Sequence, residues 1–406
     1  MLRSSSCSHH HEQHHQDQEQ VHLQSDLSPP SIYLRQLLLA YARSISHSDF
    51  TAAHRIATIL SSNSSPYGDS SERLIHSFTK ALSLRLRLHL PQPPPLSINN
   101  FTEINDAILQ SSYLTLNQIT PFIRFSQLTA NQAILEAIGD DQQEHHDIHI
   151  LDFDITHGVQ WPPLMQAIAD RRPPPTLRIT ATGTNLDTLR RTGDRLSKFA
   201  HSLGLRFRFF PLLLPHQTVD DVINHLSAVL LLPNEILAVN FVLYLHRLLT
   251  DRDKLLLVLK MIKSMNPKVV TLAETEANHN HPVFLSRFEE ALNYYTAIFD
   301  SLEVTLPPNS RERMAVEQVW FGREIADIVM AEGENRRERH ERFLSWKTMM
   351  KVAGFRNVAL SPFALSQARL LLRLHYPSEG YYLDVVNDSF FLGWHNQPLF
   401  SVSSWQ

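Results

Sequence analysis

The chain has 406 residues, of which 43% are hydrophobic, enough to fill the core of one large α/β domain or two smaller ones. Lysine and arginine number 37 against 41 aspartate and glutamate, so a net charge of −4 excludes a strongly basic surface for gripping DNA unaided. The single cysteine, Cys7, excludes internal disulfides and cysteine-rich zinc sites, and we find neither a secretory leader nor a membrane-length apolar run. We therefore expect an intracellular globular protein that contacts DNA only indirectly.

Residues 1–28 are rich in histidine, glutamine and serine and show no hydrophobic period, which predicts a disordered tail. Its histidines have no spacing that fixes a metal geometry. From residue 29 to about 140, apolar residues recur at helical spacing on either side of a proline-rich linker at 91–95. We predict a mainly helical region over residues 29–140.

Three leucine patterns each have two interpretations. The LxxLL stretches Leu34–Leu38 and Leu245–Leu249 are typical of partner-binding helices, and LRLRLHL at Leu84–Leu90 resembles a short motif that recruits corepressors. In a leucine-rich chain, all three patterns also arise where helices bury leucines in the core. We favour burial and keep Leu34, Leu37 and Leu38 as possible partner contacts.

At Ile148 the hydrophobic pattern changes from that of helices to that of buried strands. Five apolar runs separated by helical stretches are IHILDF (148–153), TLRITA (176–181), LRFRFF (205–210), EILAVNFV (235–242) and KVVTLAE (268–274). Such strands are typical of a parallel sheet covered on both faces. Three later runs, YYLDVV, FFLGW and PLFSVSSW, predict antiparallel hairpins. We predict an α/β core over residues 141–406, with a Rossmann-like, doubly wound, mostly parallel sheet and antiparallel C-terminal strands.

In such sheets, ligands bind at the carboxyl ends of the strands where the strand order reverses. The strand succession resembles the core of S-adenosylmethionine-dependent methyltransferases, which carry glycines in the loop after the first strand. Here the three glycine positions hold Asp154, Thr156 and Gly158, close to Asp152, and prolines after Trp161 delay the next helix. The chain has only 11 glycines, where average usage would give roughly 28. We expect a degenerate crevice with no cofactor and no catalytic residue.

Polar residues at the ends of the first and fifth strands also have two interpretations. They are Asp152, Asp154, Glu274, Glu276 and His279. A carboxylate-rich metal site or an acid/base pair could be built from them. Groups of this kind more commonly cap helices and bond loop backbone, so we expect no metal site.

Two further polar stretches have structural interpretations. The HNH triplet at His279–His281 lacks a third ligand at metal spacing and indicates a polar loop. The mixed-charge run RRERHER at Arg336–Arg342 predicts a solvated helix. Arg323 and Glu324 are adjacent and cannot pair face to face on a helix, so we expect separate partners for them.

The order of motifs over residues 30–406 resembles that of the plant GRAS family. Leucine-rich blocks at 32–90 and 189–209 flank a stretch similar to the family's VHIID motif, with leucine replacing the second central isoleucine. The VHIID positions are Ile148, His149, Ile150, Leu151 and Asp152. The PFYRE positions are Pro282, Phe288, Tyr294, Arg323 and Glu324. The SAW positions are Trp346, Gly354, Trp394 and Trp405, and we expect the last two to lie in the core.

The resemblance implies one GRAS domain over residues 29–406, in which residues 29–140, joined by part of 282–300, form a mainly helical cap on a Rossmann-like core. It also implies nuclear transcriptional regulation without catalysis. It implies action through partners, namely other GRAS proteins, as homodimer or heterodimer, and zinc-finger DNA-binding transcription factors. The short tail and the motif wording are most similar to the Lateral suppressor subgroup, which implies a role in axillary meristem initiation. The alternatives are an S-adenosylmethionine-dependent methyltransferase and a non-catalytic small-molecule sensor that uses the crevice.

Overall fold

The structure, a computed structural model, describes residues 29–89, 106–139 and 147–406. The predicted tail and the proline-rich linker lie outside these residues. The first described helices are α1 (Pro29–Ser46), α2 (Phe50–Ser62), α3 (Ser70–Leu88), α4 (Asp106–Ile119) and α5 (Phe122–Gly139). Alternating elements follow: β1 (Asp147–Phe153), α6 (Trp161–Ala169), β2 (Leu177–Gly183), α7 (Leu186–Ser202), β3 (Phe207–Leu213), α8 (Val219–Leu226), β4 (Glu235–Val242), a 3₁₀ turn (Leu245–Leu248), α9 (Arg252–Ser264) and β5 (Val269–Thr275).

After β5 the chain is first helical and then forms strands. The helical elements are α10 (Phe284–Thr305), α11 (Arg311–Ala315), a π-helical turn (Val316–Phe321), α12 (Gly322–Met330), a 3₁₀ turn (Gly333–Asn335) and α13 (Phe343–Val352). The remaining elements are β6 (Asn357–Val358), α14 (Pro362–His375), β7 (Tyr381–Val386), β8 (Ser389–Trp394) and β9 (Gln397–Trp405). Among the described residues, no helix is both long enough and apolar enough to cross a membrane.

Within the described residues, the strands form one nine-stranded sheet in the order β3-β2-β1-β4-β5-β9-β8-β7, with the short β6 paired to β9. Strands β1 to β5 run parallel, and β9, β8 and β7 continue the sheet in antiparallel pairs. The five predicted parallel strands and the three predicted antiparallel ones are present, with ends shifted by at most a few residues. The fold is therefore the predicted α/β, Rossmann-like, doubly wound sheet with antiparallel C-terminal strands.

Different helices cover the two faces of the parallel strands. Ile148 and Ile150 of β1 join one buried cluster with apolar side chains of α5, α6 and α7. Leu151 and Phe153 join another on the opposite face, with α8, α9 and α13. Successive side chains of a strand point to opposite faces, so a strand covered on both faces is apolar throughout.

A third cluster joins the N-terminal helices to the C-terminal strands. The ring of Phe78 in α3 meets Phe288 of α10 edge to face at 5.5 Å, and Phe122 of α5 stacks on Phe400 of β9 at 5.0 Å. The N-terminal helices thus share a hydrophobic core with α10 and the end of the chain. The division into cap and core at residue 140 stays a prediction.

The leucine patterns and the tryptophans are mostly buried. Leu38 is fully buried, whereas Leu34 and Leu37 are half-buried and pack against the same cluster. A partner contact at Leu38 is therefore wrong, because its side chain has no exposed surface. Other buried members of the patterns are Leu84, Leu86, Leu245, Leu248 and Leu249. The predicted burial of Trp394 and Trp405 is confirmed.

The segment Arg336–Arg342 contradicts the prediction of a solvated helix, because it forms no helix and much of it is buried. Its buried side chains are Arg336, Glu338, Arg339 and His340. Interior polar partners compensate for their lost hydration. For example, Nη1 of Arg336 donates to the carbonyl of His279 at 3.1 Å. His279 lies in a turn, as predicted for the HNH triplet, and is itself fully buried.

Candidate functional site

The crevice lies at the carboxyl ends of β1 and β4, where the strand order reverses. In the loop after β1, φ is +66° at Asp154, +46° at Thr156 and +62° at Gly158. Positive φ is strained for residues with a Cβ, above all for a β-branched residue such as threonine. Position 158 is glycine, and a Cβ there would lie 2.9 Å from Cγ2 of Thr192. The loop therefore keeps the backbone conformation of a glycine loop, although two of its three positions carry side chains.

The carboxylate of Asp154 is neutralised within the protein. Its Oδ2 lies 2.6 Å from Nη1 of Arg247, and its backbone N–H donates to Oγ1 of Thr182 at 2.8 Å. Arg247 follows β4 and Thr182 lies at the end of β2, so these contacts tie the loop to both neighbouring strands. A cofactor at this position would meet an ion pair in place of free backbone N–H groups.

Asp152 lies beneath the loop and is buried. Its Oδ2 accepts a hydrogen bond from Nε1 of Trp161 and its Oδ1 accepts one from Nδ2 of Asn240, both at 2.8 Å. Burial raises the pKa of Asp152 to about 7, although both hydrogen bonds favour the charged form. Trp161, the first residue of α6, is fully buried beside this carboxylate. Asp152 is therefore bonded to the protein interior rather than presented to the crevice.

The raised pKa of Asp152 predicts a pH-dependent stability. The carboxyl group is protonated more readily when folded than when unfolded, where its pKa is about 3.9, so its stabilising contribution is lost as pH rises through about 7. Relative to Asp152→Asn, the parent protein should gain about 1.4 kcal/mol of unfolding free energy from about pH 8 to about pH 6. Denaturant titration of both proteins measures this difference, because titrations at other sites largely cancel. A pH-independent difference would contradict the prediction.

A cavity of about 190 Å³ lies beside the loop after β1. Asp154, Thr156 and Thr182 line it from the sheet, while Tyr113 of α4 and Trp320 of the π-helical turn line it from the helical side. The rings of Tyr113 and Trp320 lie 5.6 Å apart and cover the crevice. Ligand pockets commonly measure about 300–1,000 Å³, so this cavity is small for a nucleotide-sized molecule.

Five buried ionisable residues, named here the buried ionisable group, lie next to the crevice. The sequence patterns did not predict that these five residues meet. The members of the group are His246, Glu274, His279, Glu338 and His340. Nδ1 of His246 lies 2.7 Å from Oε2 of Glu274, and Nε2 of His246 lies 3.1 Å from Oε2 of Glu338. Burial lowers the pKa of His246, but the charges of Glu274 and Glu338 outweigh it and raise this pKa to about 9. The two-residue spacing of Glu338 and His340, typical of one face of an extended segment, was the available sequence signal.

The five predicted polar residues at the strand ends do not converge on one point. Asp152 and Asp154 have the separate partners described above, while Glu274 and His279 belong to the buried ionisable group. Glu276 accepts a hydrogen bond from the backbone N–H of Phe343, the first residue of α13, at 2.9 Å. The helix-capping interpretation is confirmed for Glu276.

The PFYRE and SAW residues connect the helical layer to the sheet. Nη2 of Arg323 lies 3.6 Å from Oε1 of Glu338, whereas Oε2 of Glu324 accepts from the hydroxyl of Tyr295 at 2.9 Å, which confirms separate partners. Other PFYRE contacts are the hydrogen bond from the Tyr294 hydroxyl to the carbonyl of Leu399 at 3.2 Å and the packing of Phe288 in the shared core. In the SAW region, Trp346, Trp394 and Trp405 are buried and Gly354 has a φ of +97°. A direct functional role for these motif residues stays a prediction.

Comparisons with known proteins agree with this architecture. The GRAS domain family matches residues 34–406. Scarecrow-like protein 18 of Arabidopsis thaliana is 50% identical, covering 92% of this chain and 91% of the relative. Protein MONOCULM 1 of Oryza sativa subsp. japonica is 44% identical, covering 92% and 88%. The crystal structure of SCL7 from Oryza sativa has a TM-score of 0.77 at 36% identity, covering 94% of this chain and 100% of that one. The chain therefore belongs to the GRAS domain family of plant transcriptional regulators.

Proposed function

We propose that the protein regulates transcription as a co-regulator or scaffold that binds DNA-binding transcription factors, without turnover in the crevice. The observation that carries this proposal is the loop after β1. The loop keeps the positive φ of a glycine loop but fills two of its positions with Asp154 and Thr156 and pairs Asp154 with Arg247. The sheet thus supports the fold, and function moves to surfaces that contact other proteins.

The partners, the compartment and the developmental role belong to the same proposal. A net charge of −4 favours recruitment to DNA through other proteins, in the nucleus. The expected partners are zinc-finger transcription factors and other GRAS proteins, including a second copy of this chain. The similarity to Protein MONOCULM 1 and the motif resemblance to the Lateral suppressor subgroup support a role in shoot development, at the initiation of axillary meristems.

Recovery of nuclear complexes tests the main proposal. The full chain, tagged and expressed in shoot tissue, should recover DNA-binding transcription factors or GRAS proteins reproducibly, as identified by mass spectrometry. A tagged nuclear protein of similar size serves as the control. Fusion of the full chain to a heterologous DNA-binding domain should also change transcription of a reporter that carries the matching site. Failure of both assays, with normal accumulation in the nucleus, would contradict the proposal.

The methyltransferase alternative predicts cofactor binding, and we expect none. A ligand at 100 times its dissociation constant stabilises a folded protein by about 2.7 kcal/mol, which a thermal unfolding curve detects readily. We therefore expect no change in melting temperature when S-adenosylmethionine or S-adenosylhomocysteine is present at millimolar concentration. An active methyltransferase measured in parallel shows that the assay works. A saturable rise for this protein would restore the enzyme hypothesis.

The cavity of about 190 Å³ has room for a small molecule, which is the observation that favours the sensor alternative. Asp154→Asn tests it, since asparagine tolerates positive φ but removes the charge that faces Arg247. Asp384→Asn, at an exposed position in β7, is the matched control. Equal reporter output from both variants and the parent protein argues against sensing through this pocket.

A further inference from the structure

Three side chains of the buried ionisable group converge on one point. Nε2 of His246 and Nε2 of His340 lie 3.1 and 3.5 Å from the same oxygen, Oε2 of Glu338. All three residues are buried, and one potential ligand atom from each lies within 4.8 Å of the others. In a tetrahedral zinc site with bonds of about 2.0–2.1 Å, ligand atoms lie roughly 3.3–3.4 Å apart. The two distances to Glu338 therefore suit a single small cation, whereas the imidazole rings of His246 and His340 stack with centroids 4.1 Å apart and have to separate for both Nε2 atoms to bind it.

The second ring nitrogen of each histidine also has a partner. Nδ1 of His246 lies 2.7 Å from Oε2 of Glu274, and Nδ1 of His340 lies 3.0 Å from Nδ1 of His279. Metal-binding histidines generally donate their other N–H group to a carboxylate, a carbonyl or water, which fixes the tautomer and the ring orientation, and Glu274 is such a partner for His246. Nδ1 of His279 accepts from His340 when His279 is neutral with its proton on Nε2. Zinc binding displaces the Nε2 proton of His246, which donates to Glu338 in the metal-free protein, and leaves the proton of each ring on Nδ1. The Nε2 lone pairs of both rings then face the ion together with the carboxylate of Glu338.

Space for a further ligand is present beside the three residues. A cavity of about 20 Å³ is lined by His246, Glu338 and His340 together with the aromatic residues Trp320 and Phe400. A water molecule needs roughly 10–15 Å³ of such space. The cavity is therefore large enough for one water molecule in a fourth coordination position.

We propose that His246, Glu338 and His340 bind one Zn²⁺ ion, with water as a fourth ligand. Two imidazoles and one carboxylate suit zinc, whereas calcium and magnesium prefer oxygen ligands alone. The ion links the turn after β4 to the segment Arg336–Arg342 and holds Glu338 at the wall of the crevice. The competing arrangement is a metal-free imidazolium of His246 held between Glu274 and Glu338.

The test uses the full chain with the tail histidines replaced by glutamine, because they would also take up metal. These residues are His9, His10, His11, His14, His15 and His22. After treatment with a chelator and dialysis, calorimetric titration with ZnCl₂ should give one zinc ion per chain. Cobalt(II) in place of zinc should give the intense visible absorption of tetrahedral coordination. This spectrum is measured without substituting any residue of the buried ionisable group.

Substitutions test whether these side chains bind the zinc ion. His340→Gln should weaken zinc binding by more than about 100-fold, and Glu274→Gln, which removes only the partner of His246, by about 10–100-fold. His201→Gln, at an exposed position on α7, is the matched control and should bind like the parent protein. Circular dichroism checks that each variant is folded. Absence of stoichiometric zinc binding and of the tetrahedral cobalt spectrum, or an unchanged affinity in folded His340→Gln, would overturn the proposal in favour of the metal-free arrangement.

Discussion

Truncation of Trp161 to alanine should lower the free energy of unfolding by about 3–5 kcal/mol, the range for removing a large buried aromatic side chain. Trp161 is fully buried in the cluster between the sheet and α5, α6 and α7, so its loss leaves a cavity that these elements can fill only in part. It also removes the N–H donor to Asp152 and leaves that buried carboxylate with one side-chain hydrogen bond fewer. Denaturant unfolding of the purified protein measures the loss.

Two further substitutions separate the contributions of Trp161. Trp161→Phe keeps most of the apolar packing but removes the N–H donor, so it should cost less than the alanine variant. Tyr67→Ala removes an aromatic ring that is 75% exposed and should change stability by less than about 0.5 kcal/mol. A loss below about 1 kcal/mol in Trp161→Ala would mean that the crevice closes without this ring.

Substitution of Glu317 by alanine should cost about 3–5 kcal/mol, because it leaves the buried Arg73 without its main counter-charge. Nε and Nη2 of Arg73 donate to the two carboxylate oxygens of Glu317 at 2.7 and 3.0 Å. Nη1 of Arg73 lies 2.7 Å from Oε2 of Glu303, which is only half-buried. These contacts join α3 to the π-helical turn and α10. Thermal and denaturant unfolding of Glu317→Ala measure the loss.

The double variant Arg73→Met/Glu317→Leu shows whether the loss arises from the unpaired charge. Replacing both members of a buried ion pair by apolar residues is often neutral or stabilising, so the double variant should be more stable than Glu317→Ala. Equal stability of the single and double variants would contradict this account. It would indicate that the loss of unfolding free energy comes from lost packing. Asp220→Ala, which removes the exposed partner of Lys254, is the matched control and should have little effect.

The sequence predicted the sheet well because its strands carry a local signal. A parallel strand buried on both faces has to be apolar along its length, and β1 to β5 could be located from that pattern alone. The antiparallel strands were predicted because short turns separate their aromatic residues. The loop after β1 was also informative, since Asp154 and Thr156 at glycine positions indicated a changed crevice before the geometry was known.

The buried polar contacts were not predictable in the same way. His246, Glu338 and His340 come together only because the segment Arg336–Arg342 crosses to the turn after β4, and no local periodicity encodes that crossing. The charges in RRERHER predicted solvation because isolated charges are costly to bury, a rule that fails when partners from distant segments satisfy them. The hydrogen bond from Trp161 to Asp152 was missed for a related reason, since it depends on how α6 meets β1.

The position of β9 has a consequence for damaged or incomplete chains. β9 is an inner strand, paired with β5 on one side and with β8 on the other. Proteolysis between β8 and β9, followed by loss of the last strand, would uncover the backbone N–H and C=O groups of both neighbours. Unpaired strand edges of this kind recruit other chains and cause aggregation. A protein lacking only residues 397–406 should therefore precipitate rather than persist as a smaller regulator.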